Sequence, residues 1–210
     1  IHASEYAEGG FGGEKLVNGT TAGFQARPAV AGMPNGDAAI AWEGKGIGDH
    51  LGIFMTTYNR LEQEQLVNSE TTGAQRLPAI SAGLDDVVVA WQSRGNVMSR
   101  AFDVSDDSDS SQLTPTGDSR LVNQTTEAAQ KRPSVAHLAD GSHVLAWFGN
   151  GPGDRRGTFA RMFDEDGEAA SSESRLNHTT QCGQIRPSVA AVNSGYVTLW
   201  QGRGEGDHRG

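Results

Sequence analysis

A single cysteine, Cys182, stands in the 210 residues, so the chain can form neither an internal disulfide nor a thiolate metal cluster. No run approaches the ~20 apolar residues of a membrane-crossing helix, and the opening residues IHASEYAEGG lack the basic and apolar regions of a signal peptide. Aromatic residues make up only 7% and hydrophobic residues 36%, too few for a helical bundle and too many for a disordered chain. Positive charge is scarce as well: 17 Lys and Arg face 26 Asp and Glu, a formal net charge of -9. That balance argues against nucleic acid as a partner, and against an anionic lipid surface or membrane insertion. No G-x-S-x-G, Walker loop or dinucleotide fingerprint occurs.

What is plentiful is glycine, 28 residues, about twice its usual ~7% share, and with it the capacity for tight turns. Four segments align: EKLVNGTTAGFQARPAVAG, EQLVNSETTGAQRLPAISAG, SRLVNQTTEAAQKRPSVAHL and SRLNHTTQCGQIRPSVAAV. Each leads into an apolar run ending in tryptophan, at Trp42, Trp91, Trp147 and Trp200. Asn18, Asn68, Asn123 and Asn177 are 50, 55 and 54 residues apart, and a period near fifty with strand-like alternation is the signature of propeller blades. The third copy shows four strands, PSVAHL, HVLAW, TFARMFD and SRLN, with D-G turns between the first two and the last two. The fourth copy stops after two strands, while the N-terminal IHASEYA and EKLVN match the missing third and fourth. Counted round that junction, the four periods add up to the full 210 residues. The expected fold is all-β: a single four-bladed β-propeller over residues 1–210 with four antiparallel strands per blade. Its blades run over about 28–68, 78–123, 133–177, and 187–210 joined to 1–18, the last closed by the N-terminal strands in a two-plus-two clasp. Small residues after Pro28, Pro78, Pro133 and Pro187 suit the crowded innermost strand, and the tryptophans suit filler between blades.

Two loops per repeat fall on one face of such a meander. The first carries N-x-T-T-x-x-x-Q-x-R-P; the second reads WEGKGIGDHLG, WFGNGPGDRRG and WQGRGEGDHRG, but only WQSRGNVM in the second copy. Arg27, Arg132 and Arg186, with Leu77 in the fourth place, are paired in sequence with Asp49, Asp154 and Asp207, and both partners are missing together from the second copy. The readings open here are a guanidinium–carboxylate fork holding the Gly-rich turn, an arginine cluster that binds an anionic sugar, and Ca²⁺ held by Asp49, Asp154 and Asp207. Gln25, Gln75, Gln130 and Gln184 occur in all four copies, as amides for a polar ligand at the channel mouth or as staples to loop backbone. On the opposite face, the acidic run Asp103, Asp106, Asp107, Asp109 and the turn with Asp164, Asp166 and Glu168 are weaker cation candidates, and His50 with His208 are candidates for a shared metal.

The pattern L-V-N-x-T-T, Q-x-R-P-x-V-A, a D-G or N-G turn, an apolar run to Trp and a G-D loop before F-x-x-R-x-F-D-x-x-G resembles a repeat of large secreted or cell-surface bacterial proteins, of the adhesin and RTX-associated type. The resemblance covers essentially the whole chain. It implies an extracellular, cell-surface or periplasmic propeller, part of a larger chain or complex, that binds a glycan or protein partner on its top face in lectin-like fashion. The function expected from this is a non-enzymatic binding or adhesion module. The alternatives are a glycan-acting hydrolase or lyase with its site at the channel mouth, and a structural accessory subunit.

Overall fold

Apolar and polar residues alternate in short runs cut by glycine turns, and the chain folds strand upon neighbouring strand. The computed structural model describes residues 1–7, 9–104 and 113–204. At the N-terminus β1 (His2–Ala3) pairs with β4 (Lys15–Leu16), and β2 (Tyr6–Ala7) pairs with β3 (Gly10–Phe11) between them. Sheet one runs β5 (Gln25–Gly32), β6 (Ala38–Gly46), β7 (Asp49–Thr57), β8 (Gln65–Leu66), with a 3-10 turn at Tyr58–Arg60. Sheet two runs β9 (Gln75–Ala82), β10 (Asp86–Ser93), β11 (Asn96–Val104), with both β12 (Leu113–Pro115) and β13 (Arg120–Leu121) on the outer side of β11. Sheet three is β14 (Lys131–His137), β15 (His143–Gly151), β16 (Asp154–Phe163), β17 (Ser174–Arg175), and sheet four is β18 (Ile185–Val192) paired with β19 (Gly195–Gln201). The all-β meander expected from the repeat is present.

Each repeat's first strand starts ahead of its proline and carries a bulge there. The residue before proline, Arg27, Leu77, Arg132 or Arg186, has φ between 52° and 55°, and the ladder slips at that point in all four sheets. Proline has no N–H to give to a ladder, so the bulge sets it outside the hydrogen-bonded register at a cost in backbone strain.

The small-residue strands pack in order, β5 on β9, β9 on β14 and β14 on β18. Between consecutive sheets lie apolar layers. Trp91 and Phe102 of sheet two meet Ile53, Met55 and Val67 of sheet one, and Trp147 and Phe159 of sheet three meet Val88, Val97 and Val122 of sheet two. Trp42, Trp91 and Trp147 are at most 1% exposed, whereas Trp200 is 37% exposed, because among the described residues β19 has no outer strand paired to it.

The N-terminal hairpin repeats the outer half of a sheet. His2 faces Leu16 and Ala3 faces Lys15, the same register as Phe54–Leu66 and Met55–Gln65 in sheet one and Phe159–Arg175 and Ala160–Ser174 in sheet three. Ile1, Ala3 and Val17 pack on Ile40, Trp42 and Phe54, as each sheet's outer strands pack on the sheet that follows. The expected clasp is not seen: among the described residues β1 pairs with β4 and β19 with β18 alone. The hairpin's apolar side is held on sheet one, and Val197, Leu199 and Trp200 of sheet four are left exposed.

Candidate functional site

The loops of one face are held by a repeated set of amide contacts. Asn68 Oδ1 accepts the Ile53 N–H at 2.8 Å, Asn123 Oδ1 the Val97 N–H at 2.7 Å, and Asn177 Oδ1 the Thr158 N–H at 2.8 Å. The Ile1 ammonium donates to Asn18 Oδ1 in the corresponding place. Each Asn Nδ2 also donates to the carbonyl two residues on, Thr20, Glu70, Thr125 or Thr179. Asn68 and Asn177 give a further bond to Asp49 Oδ2 at 2.9 Å and Asp154 Oδ2 at 2.7 Å, and Asn123 gives one to Asn96 Oδ1. The carboxylates of Asp49 and Asp154 accept the N–H two residues ahead as well. This corrects the Arg–Asp fork: the loop aspartate pairs with the asparagine of L-V-N, and Asn96 serves in the second copy. Calcium ligation would have to displace these donors from Asp49 and Asp154, and among the described residues no three His, Cys, Asp or Glu side chains are grouped to hold a metal. Asp207, His208, Asp106, Asp107 and Asp109 lie outside the described residues. Asp164 and Glu168 close a turn, which Arg120 joins through Glu168.

The four glutamines lie beneath the same loops. Gln25 Oε1 accepts from Trp42 Nε1 and Gln75 Oε1 from Trp91 Nε1, both at 2.9 Å, while the Nε2 groups donate to loop carbonyls. Gln75, Gln130 and Gln184 are at most 2% exposed, so here these amides hold backbone and indole and do not reach the channel mouth as ligand donors. A Cβ on Gly44, Gly149 or Gly202 would run into the glutamine Oε1, which explains the glycine two residues after Trp. The second copy has Ser93 there.

The left-handed bulges place the arginines at the rim where the innermost strands begin. Arg27, half-exposed, pairs with Glu43, which is 3% exposed and also accepts the Leu77 N–H at 2.6 Å across the sheet boundary. The residues equivalent to Glu43 are Gln92, Phe148 and Gln201, of which Gln201 accepts from Arg186 at 3.3 Å. Arg132 and Arg186 make no salt bridge among the described residues. Arg76 and Lys131, one position earlier in their strands, are exposed beside them. Arg27, Arg76, Lys131, Arg132 and Arg186 thus form a cationic rim on a chain of net charge -9. A cavity of about 340 Å³ opens at the rim, lined by Phe24, Arg27, Glu43, Leu51, Gln75 and Arg76. The repeat points to the three R-P arginines but passes over Arg76 and Lys131, which sit one residue off the motif. Glu43 was legible only as the one carboxylate among the residues that follow Trp. Another cavity, of about 510 Å³ between the N-terminal hairpin and sheet one, is walled largely by apolar groups such as Val17, Val30 and Ile40.

Away from the rim, His137 bridges sheets two and three. Its backbone N–H donates to Ser81 Oγ, its ring contacts Ser81 Oγ at 3.1 Å, and its Nε2 lies 3.0 Å from the Asp86 carboxylate. His143 stacks on Phe163 with ring centres 5.3 Å apart, and burial, together with the neighbouring His137, pushes its pKa down to about 4.

No protein-family model matches the sequence, and no curated protein does at a significant level. Solved structures do resemble it. A protein of unknown function from Dyadobacter fermentans aligns over 91% of this chain and 66% of its own, with TM-score 0.58 and 11% identity. An α-L-arabinofuranosidase from Fusarium graminearum, in complex with an iminosugar inhibitor, aligns over 90% and 62%, with TM-score 0.55 and 11% identity. A neuraminidase-like protein of A/flat-faced bat/Peru aligns over 91% and 49%, with TM-score 0.51 and 11% identity. The chain spans about two thirds or less of each, and at such identity the likeness establishes the fold, all-β and propeller-like. It also corrects the expectation of a non-enzymatic binding or adhesion module: a protein that shares this fold is an α-L-arabinofuranosidase.

Proposed function

We propose that this chain carries the site of a glycan-cleaving enzyme, located at the rim and acting on an acidic glycan. The observation that carries this is the juxtaposition of Arg27 and Arg76 with one buried carboxylate, Glu43, in the wall of one cavity, on a chain that is otherwise acidic and has Lys131, Arg132 and Arg186 at the corresponding starts of the next two innermost strands. Guanidinium groups match sugar carboxylates in planar two-point fashion, so Arg132, Arg186 and Arg76 would hold the charged sugar and set its orientation. Glu43, held by Arg27 and the Leu77 amide, is the group for proton transfer. As a carboxylate already accepting from two donors, it takes a proton from the water that attacks the anomeric carbon while the glycosidic C–O bond breaks, and the leaving oxygen takes up a proton from solvent water. Polymeric acidic glycans are met outside the cytoplasm, and the extracellular location belongs to the same proposal.

The test is release of reducing ends from polygalacturonate, alginate, a sialylated glycan and, as neutral control, arabinan. We expect cleavage confined to the acidic polymers, and a loss in Glu43→Gln of about 100-fold or more, the usual contribution of a positioned acid or base. Absence of cleavage on every acidic polymer, or full activity of Glu43→Gln, overturns the reading.

A further inference from the structure

Sheet two departs from sheets one and three in the connection that follows its tryptophan, and a further cavity lies there. Between Trp and the buried strand residue whose N–H meets the asparagine, sheet one has the ten residues 43–52, whereas sheet two has only the five residues 92–96. The connection closes on Arg94 and Gly95, φ 48° and 84°, the paired left-handed geometry of a two-residue hairpin turn. The aromatic that covers this ground in sheets one and three, Phe54 or Phe159, packs on Gly46 or Gly151; sheet two has Met98, which is partly exposed. The result is a cavity of about 240 Å³ with Trp91 and Met98 as its apolar wall and Glu70, Arg94, Asn96 and Ser119 around it. Gln75 borders both this cavity and the rim cavity. Among the described residues its Nε2 bonds to the Glu70 and Gly73 carbonyls alone, whereas Gln25 and Gln130 also hold the carbonyl of the long loop, at Lys45 or Asn150. Among the described residues neither the Glu70 carboxylate nor the Arg94 guanidinium has a hydrogen-bond or ion-pair partner.

We propose that the cavity over sheet two is a second sugar subsite, so that the ligand is a chain of at least two units running outward from the rim across Gln75. The inference rests on the rim reading above. Opposed charged groups and an amide beside an apolar wall are what a sugar ring with several hydroxyls requires, and the long loops of sheets one and three exclude such a site there. A ligand that spans both cavities gains affinity with length, because the second contact is made at high effective concentration.

Titration calorimetry with galacturonic acid, its dimer and its tetramer tests this. The wild type is expected to bind the dimer and tetramer at least about tenfold more tightly than the single unit. Glu70→Ala combined with Arg94→Ala should remove that gain, with affinity for the single unit as internal control. Met98→Phe, which puts the aromatic of the other sheets into the cavity, should act in the same direction without removing a charge. Equal affinity for one unit and four in the wild type, or a length gain that survives both variants, overturns the subsite while leaving the rim reading intact. If no acidic saccharide of any length binds, the rim reading fails and the subsite with it.

Discussion

A buried asparagine amide has four hydrogen-bonding positions, and Asn177 uses its oxygen for the Thr158 N–H and its nitrogen for Asp154 and the Thr179 carbonyl. Truncation to alanine would strand a buried N–H and a buried carboxylate oxygen together, at ~1–3 kcal/mol for each unsatisfied group. Asn177→Ala is therefore expected to destabilise by about 3 kcal/mol, read as a lower urea midpoint at unchanged slope. Leucine at the exposed position 84 should give no comparable loss when changed to serine. The sequence exposed these residues by repetition, but it did not show who pairs with whom. Arg and Asp vanish together from the second copy, which suggested a bond between them. In fact the shortened loop removes the Asp, Asn96 takes over its role, and Leu77 keeps the left-handed backbone of the arginines. Co-occurrence in three copies reports a shared loop geometry and not direct contact.

At the level of elements, strand order and the outer hairpin's register follow from alternation and turn chemistry, and both were readable. The bulge before each proline was not, because a non-glycine residue at positive φ contradicts the local preference of the chain ahead of proline. The surroundings of the His137 and His143 pair of sheet three were also hidden, since its further partners Ser81, Asp86 and Phe163 come from β9, β10 and β16. It yields a pH prediction. The folded state keeps His143 neutral down to about pH 4, while the unfolded chain takes up the proton near pH 6.5. The unfolded state therefore binds more protons between those values. The stabilisation is complete above about pH 6.5, is lost as pH falls toward about 4, and is flat below for this group. The groups facing it, His137, Asp86 and Asp164, set the balance with burial. His143→Leu should flatten the urea midpoint against pH over that interval; an unchanged slope would assign the pH dependence elsewhere.

Over the whole molecule, hydrogen bonds are mostly internal to each sheet, and neighbouring sheets meet through apolar layers and a few crossing bonds. Arg100 reaches back to the Val67 carbonyl and Arg161 to the Val122 carbonyl, at 2.9 and 3.0 Å. Such a stack resembles a one-dimensional array in which each unit is stabilised by its neighbours. Sheets with a neighbour on both sides should exchange amide hydrogens slowest, and β18–β19, with Leu199 and Trp200 uncovered, should exchange fastest. Hydrogen exchange with mass spectrometry would check this; uniform protection through sheet four would show that its open edge is covered in solution. Fold class was legible because it is set by strand alternation within the period. Closure was not: the half-sheet complement in the sequence states that two edges match, whereas the packing of Ile1 and Val17 on Trp42 decides where the N-terminal half rests.

The two-residue turn of sheet two also bears on how this architecture can be altered. Asn123 still holds the Val97 amide at 2.7 Å, as Asn68 holds Ile53 at 2.8 Å, although the loop between is five residues shorter. Loop length is thus uncoupled from the sheet that carries it. Recognition can be redesigned on one sheet at a time by exchanging that segment, with the neighbouring sheets left as an unchanged frame.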